Sequence, residues 1–198
     1  MQKELLNKEE FIKKYITNID LDSHIYQKFQ KQLFVDENNK VICHGRRIGI
    51  TTYLDTEARY NSYLGKKVLY IDPNRSIKYF RRYFTENTSK NIELCSKINL
   101  KEIKTKKYNV IIIDNADMFN LIGNIKFKLL VKMAKKNKIK LIIASCIYMY
   151  GKTYFAELCE YKDDYFKKYK IIDKETIKDY YKYLTKEQYR RDILAKIN

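Results

Sequence analysis

The stretch Val41-Ile42-Cys43-His44-Gly45-Arg46-Arg47-Ile48-Gly49-Ile50-Thr51-Thr52 decides the fold, because it reads as an apolar strand, a glycine-bearing turn and the start of a helix. That is the layout of a phosphate-binding loop. In such a loop successive backbone N–H groups, the positive end of the following helix and a lysine together neutralise nucleotide phosphates. Laid on the pattern G-x-x-x-x-G-K-[ST], the chain departs at two positions, with His44 in the first glycine place and Ile50 in the lysine place. Gly45 and Gly49 keep the backbone able to approach phosphates, and Thr51 stands where the pattern puts the hydroxyl that ligates Mg²⁺. Arg46 and Arg47 offer charge from within the turn, since a guanidinium fork matches phosphate oxygens. A plain strand-to-helix turn is the rival reading of the same residues.

Outward from this stretch the chain alternates strands and helices. Helical spacing covers residues 3 to 16 and a second short segment from His24 to Phe34, followed by the strand Lys40 to Cys43 and a helix from Thr51 to Leu64 that stops at Gly65. Lys67 to Ile71 is a second strand, ended by Asp72-Pro73-Asn74, and Ser76 is placed to cap a basic aromatic helix reaching Phe84. Residues 85 to 107 are weakly patterned, with a small strand at Ile92 to Cys95. Val110 to Ile113, an unbroken β-branched run, suits a central parallel strand covered on both faces. A helix from Asn124 to Lys136 leads to the strand Lys140 to Ala144, and a late strand is expected at Tyr169 to Ile172, before a terminal helix from Thr185. The expected fold class is therefore α/β, a mainly parallel sheet flanked by helices, with polar residues gathering at strand carboxyl ends. One domain over residues 1–198 is expected: a helical lead-in to residue 38, a core over 39–150 and a helical segment over 151–198.

Composition narrows the partners. The chain of 198 residues carries 41 Lys and Arg against 24 Asp and Glu, a net charge of +17 that favours a polyanion such as nucleic acid. A coding bias toward Lys, Ile, Asn and Tyr would give the same excess. Cys43, Cys95, Cys146 and Cys159 are too far apart for a C-x-x-C metal pair and read as reduced core thiols, and neither His24 nor His44 has a partner at ligand spacing. The amino terminus has no apolar leader and no apolar run approaches the ~20 residues of a membrane span, so a cytoplasmic protein is expected, with no membrane partner.

Two further strand ends carry chemistry. Asp114 closes the Val110 to Ile113 strand, where a carboxylate can hold a Mg²⁺ water shell opposite Thr51; a turn or helix cap is the alternative. In hydrolysing ATPases of this kind the next residue is a water-activating glutamate, and here it is Asn115, whose amide cannot take a proton. Asp117 lies a few residues on. Ser145, at the end of the next strand, is placed either to sense a terminal phosphate or to act as an ordinary strand-end hydroxyl.

The order of these features resembles a known family, the ATPase domain of the large terminase subunit that packages DNA into phage capsids. CHGRRIGITT is similar to that family's variant phosphate loop, IIIDNAD to its acidic second motif, IIASCIYMYGKTYFAEL to its coupling motif, and LTKEQYRRDILAKI to the segment that closes the domain. The resemblance implies a P-loop NTPase-like fold with ATP and Mg²⁺ as ligands. It places Gln27 near adenine, His44, Gly45, Arg46, Arg47, Ile48, Gly49, Ile50, Thr51 and Thr52 around the phosphates, Thr51 and Asp114 at the metal, and Ser145 in coupling. It implies catalytic places for Asp114, Asn115, Arg46 and Arg47. Double-stranded DNA, a ring of identical subunits on a capsid portal, and a separate nuclease or small terminase subunit are the partners it implies, in the host cytoplasm. The family's nuclease domain is expected to be missing. Because Ile50 replaces lysine and Asn115 replaces glutamate, two readings follow: a terminase-type ATPase domain, or a silenced P-loop homologue serving as a DNA-binding or assembly subunit. Another kind of P-loop ATPase is a weaker third.

Overall fold

The computed structural model describes residues 5–16, 19–23, 25–45, 48–73, 86–116, 125–146 and 163–171. Arg46, Arg47, Asp117, His24 and Cys159 lie outside these, as do the helices expected from Ser76 and from Thr185.

Six strands form one sheet: β1 Lys40–His44, β2 Val68–Ile71, β3 Ile92–Cys95, β4 Val110–Ile113, β5 Lys140–Cys146 and β6 Lys167–Ile171. Their order is β3-β2-β4-β5-β1-β6, and every neighbouring pair is parallel. The sheet fixes what lies beside what. β5 separates the loop strand β1 from the acidic strand β4, and β2 flanks β4 on its other side. Parallel pairing also gathers all carboxyl ends along one edge, the place where open α/β sheets take their ligands.

The apolar runs in the sequence become strands because both faces are covered. Ile42, Tyr70, Ile112 and Ile142 face one cluster with Tyr53 and Leu54 of the helix α3, Ile50–Tyr63. Val41, Leu69, Ile111 and Leu141 face a second cluster with Phe127 and Leu130 of α6, Ile125–Asn137. Continuous β-branched strands are what two-sided burial requires.

The lead-in packs on the first of these faces. α1, Lys8–Tyr15, starts with a capping box in which the Asn7 side chain accepts from Glu10 N–H and the Glu10 carboxylate accepts from Asn7 N–H. It buries Phe11 against Tyr60 and Tyr63 of α3, with ring centroids 5.3 and 5.1 Å away. A π-helical turn, Tyr26–Gln30, continues directly into α2, Lys31–Val35. Beneath them lies an ionic network: Glu57, fully buried on α3, takes the Lys8 ammonium at 2.8 Å and lies 3.9 Å from Lys140, while Lys8 also reaches Glu37 at 2.7 Å. Lys40 stands beside it with its ammonium 3.1 Å from the Tyr53 hydroxyl, and burial brings its pKa down to about 8.

Two short helices occupy the weakly patterned region, α4 Glu86–Ser89 and α5 Leu100–Lys106. α5 is capped by the Asn99 side chain and buries only Ile103, too few apolar residues to announce a helix in sequence. Cys95 and Cys146 are not disulfide-bonded, whereas Cys43 is, contrary to the expectation of reduced cysteines throughout. No helix among the described residues is long and apolar enough to cross a membrane.

Candidate functional site

The carboxyl edge of the sheet brings together the ends of β1, β2, β4 and β5. Register sets Cys43 abreast of Ser145 and His44 abreast of Cys146 between β1 and β5, and Ile71 abreast of Ile113 between β2 and β4. The residues immediately after Ile71 and Ile113 are Asp72 and Asp114, both nearly fully buried.

Gly49 gives the loop its shape. It sits at φ 72 as the N-cap of α3, and its carbonyl accepts from Tyr53 N–H at 2.9 Å and from Gln30 Nε2 at 3.2 Å. A Cβ at position 49 would lie 2.2 Å from Gln30 Nε2, so both the left-handed backbone and the close side chain require glycine. Gly45 anchors the loop's other end, its N–H donating to Ile171 O at 3.0 Å.

Thr51 and Asp114 meet. Thr51 Oγ1 donates to Asp114 Oδ2 at 3.1 Å, joining the first turn of α3 to the end of β4. The same oxygen accepts from the Tyr70 hydroxyl at 3.2 Å, and Asn115 N–H donates to Oδ1 at 2.8 Å. Asn115 itself sits in the left-handed region at φ 51, and its Nδ2 donates to Asp72 Oδ1 at 3.1 Å. Asparagine tolerates that backbone better than most residues.

Five other sequence candidates take definite places. Ile50 is 2% exposed, inside the apolar cluster between the sheet and α3, so the lysine position of the pattern carries no charge. Ile48 is buried in the same cluster, while Thr52 is half-buried, its carbonyl accepting from Thr56 Oγ1 at 2.8 Å. His44 is buried, and that burial lowers its pKa to about 4. Its Nδ1 lies 2.7 Å from Gly45 O, and since a carbonyl only accepts, Nδ1 carries the proton and Nε2 is a buried lone pair without a partner. Ser145 is buried at the end of β5.

Gln27 is exposed on the π-helical turn, its amide donating to Leu21 O at 2.6 Å on the rim of a cavity of about 510 Å³ between α1 and the π-helical turn with α2. Gln30, one turn on, is the buried glutamine that touches the loop, with its Oε1 unpartnered. Sequence reading passed over Gln30, Tyr70 and Asp72. Only Asp72 had a signal in sequence: like Asp114, it closes a short apolar strand.

Among the described residues no three His, Cys, Asp or Glu converge as a metal cluster. A hydroxyl and a carboxylate facing each other are instead a hard oxygen pair of the kind that binds Mg²⁺ while leaving its other positions to water and phosphate. The residues present therefore fit that ion.

A parallel sheet with helices on both faces, a glycine-bearing loop between β1 and α3 and an aspartate at the end of β4 define a P-loop NTPase-like α/β fold. Among solved structures, the ATPase domain of the large terminase from Thermus phage P74-26, in an arginine-to-alanine mutant form, superimposes with a TM-score of 0.52 at 12% identity, over 85% of this chain and 96% of that one. The chain has the fold of a phage terminase ATPase domain. No family model matches the sequence, and no curated protein matches it.

Proposed function

We propose that this chain is a terminase-type ATPase domain that binds ATP with Mg²⁺ at its variant loop and acts on double-stranded DNA. The observation that carries the reading is the 3.1 Å contact between Thr51 and Asp114, which joins the hydroxyl and the carboxylate expected on either side of a nucleotide-bound metal. Backbone N–H groups from Gly45 to Thr52 and the amino end of α3 would receive the phosphates, and Thr51 and Asp114 would hold Mg²⁺. When bound there, Mg²⁺ neutralises charge on the phosphate oxygens. Tyr70 and the Asn115 N–H keep the Asp114 carboxylate aimed at the loop. Arg46 and Arg47 are the candidates for the charge that Ile50 does not supply, and Ser145, between the loop strand and the acidic strand, is the candidate for coupling. The net charge of +17 supports a DNA partner. A ring of subunits on a capsid portal in host cytoplasm, working with a separate nuclease or small terminase subunit, is the setting this reading implies.

The buried, uncharged Ile50 favours a second reading, a silenced homologue that binds DNA or assembles without turning ATP over. Melting of the native protein and of Thr51→Ala with ATP, with and without Mg²⁺, tests the first. The expected result is a rise in melting temperature that needs Mg²⁺ in the native chain and shrinks in Thr51→Ala. Equal shifts with and without Mg²⁺ contradict it. Salt-sensitive DNA binding indifferent to nucleotide then identifies the second reading.

A further inference from the structure

We propose that Asp72 is the general base of this site, the carboxylate that accepts the proton of the attacking water in the place where the terminase pattern has a glutamate and this chain has Asn115. The inference rests on the nucleotide site proposed above and goes beyond it by naming the group that makes the site hydrolytic.

The argument begins with what Asn115 does. Its backbone at φ 51 turns the chain sharply as it leaves β4, and the turn carries its side chain across to the neighbouring strand, where Nδ2 donates to Asp72 Oδ1 at 3.1 Å. An amide cannot accept a proton, but it orients a carboxylate that can. Asp72 is held by its backbone from the other side, its N–H donating to Cys95 O at 3.0 Å. The register Ile71 with Ile113 then sets Asp72 beside Asp114, which Thr51 joins to the loop. One strand end thus presents a carboxylate tied to the loop hydroxyl, and the adjacent strand end presents a second, oriented by the residue that replaced the usual base.

A buried carboxylate costs free energy to keep unless its surroundings hold it, and Asp72 is only 3% exposed. Placement at a sheet edge where ligands bind gives that cost a function. In the reaction, the water oxygen forms a bond to the γ-phosphorus while one of its protons passes to the Asp72 carboxylate. The bond from the γ-phosphorus to the bridging oxygen breaks, and its electron pair leaves with ADP. Inorganic phosphate is released, and Asp72 returns the proton to solvent.

The test compares native protein with Asp72→Asn and with the exchange variant Asp72→Asn/Asn115→Glu, which keeps one carboxylate and one amide but swaps their strands. Three quantities are read: affinity for a fluorescent ATP analogue with Mg²⁺, retention of ADP with aluminium fluoride as a mimic of the in-line transition state, and phosphate release in the presence of duplex DNA. Asp72→Asn is expected to bind the ATP analogue like native protein, to lose retention of ADP with aluminium fluoride, and to release phosphate about 10² to 10⁴ times more slowly. The exchange variant is expected to regain both. Undiminished turnover in Asp72→Asn overturns the proposal, as does a native chain that binds nucleotide with Mg²⁺ but never turns it over; that second outcome leaves the binding reading standing. A native chain that binds no nucleotide overturns both. If Asp72→Asn loses its cooperative melting transition, Asn115→Ala decides instead: turnover is expected to fall with nucleotide binding kept, and unchanged turnover overturns the proposal.

Discussion

Gly49 is the residue on which the loop's geometry depends, and the cost of changing it has two separable parts. Its backbone at φ 72 strains any side chain, and the Gln30 amide occupies the space a Cβ would take. Gly49→Ala should lower stability by about 1–3 kcal/mol, measured as a shift in urea midpoint, and the loss should shrink when Gln30→Ala is added. A Gly49→Ala protein as stable as native would contradict the loop conformation described. His44 makes a pH-dependent prediction. Its pKa of about 4 in the folded chain lies below the ordinary 6.5, so between those values the unfolded chain binds a proton that the native chain does not. Stability is therefore lost as pH falls from 6.5 toward 4, by about 3 kcal/mol in total. The difference in urea midpoint between pH 7 and pH 4.5 should be smaller in His44→Gln than in native protein. An equal difference in both would place the imidazole in water.

The helix α3 joins the site to the lead-in, with Thr51 at its first turn and Glu57 two turns on. Glu57 is the buried anion around which Lys8, Lys40 and Lys140 gather, so Glu57→Ala leaves three clustered cations with only the exposed Glu37, on Lys8 and Lys140, and Asp36, near Lys40, to offset them. A loss of about 3–5 kcal/mol is expected in urea unfolding. A loss under about 1 kcal/mol would mean the network is solvated. The strands β1, β2, β4 and β5 were legible in sequence because each is an apolar run covered on both faces, and α3 because the glycine turn feeds it. α5 was not, since it buries little beyond Ile103, and β6 differs by a few residues from its expected span because only Ile171 is buried there. The pairing of Thr51 with Asp114 was expected from loop and strand pattern alone, and the two side chains do meet. Gln30 and Tyr70 were not legible, and Asp72 only as a carboxylate closing a short apolar strand, because what relates all three to the loop is that β2 lies beside β4 and that the π-helical turn packs on Gly49. Strand order is a property of long-range pairing that local periodicity does not contain.

The molecule as a whole combines a parallel sheet whose carboxyl edge carries the glycine-bearing loop with a strongly basic composition. The first feature is matched by the terminase ATPase fold, and the second is the charge a DNA partner needs. Both features are compatible with either proposed reading, and the two readings separate at the metal. The decisive experiment is a calorimetric titration of ATP into native protein and into Asp114→Ala, each with and without Mg²⁺. The account predicts that Mg²⁺ tightens binding to native protein by about tenfold or more, consistent with the worth of a charged contact, and that this increment is lost in Asp114→Ala while Mg²⁺-free binding is kept. Binding to native protein that is the same with and without Mg²⁺, or an Asp114→Ala protein that retains the full increment, would contradict it.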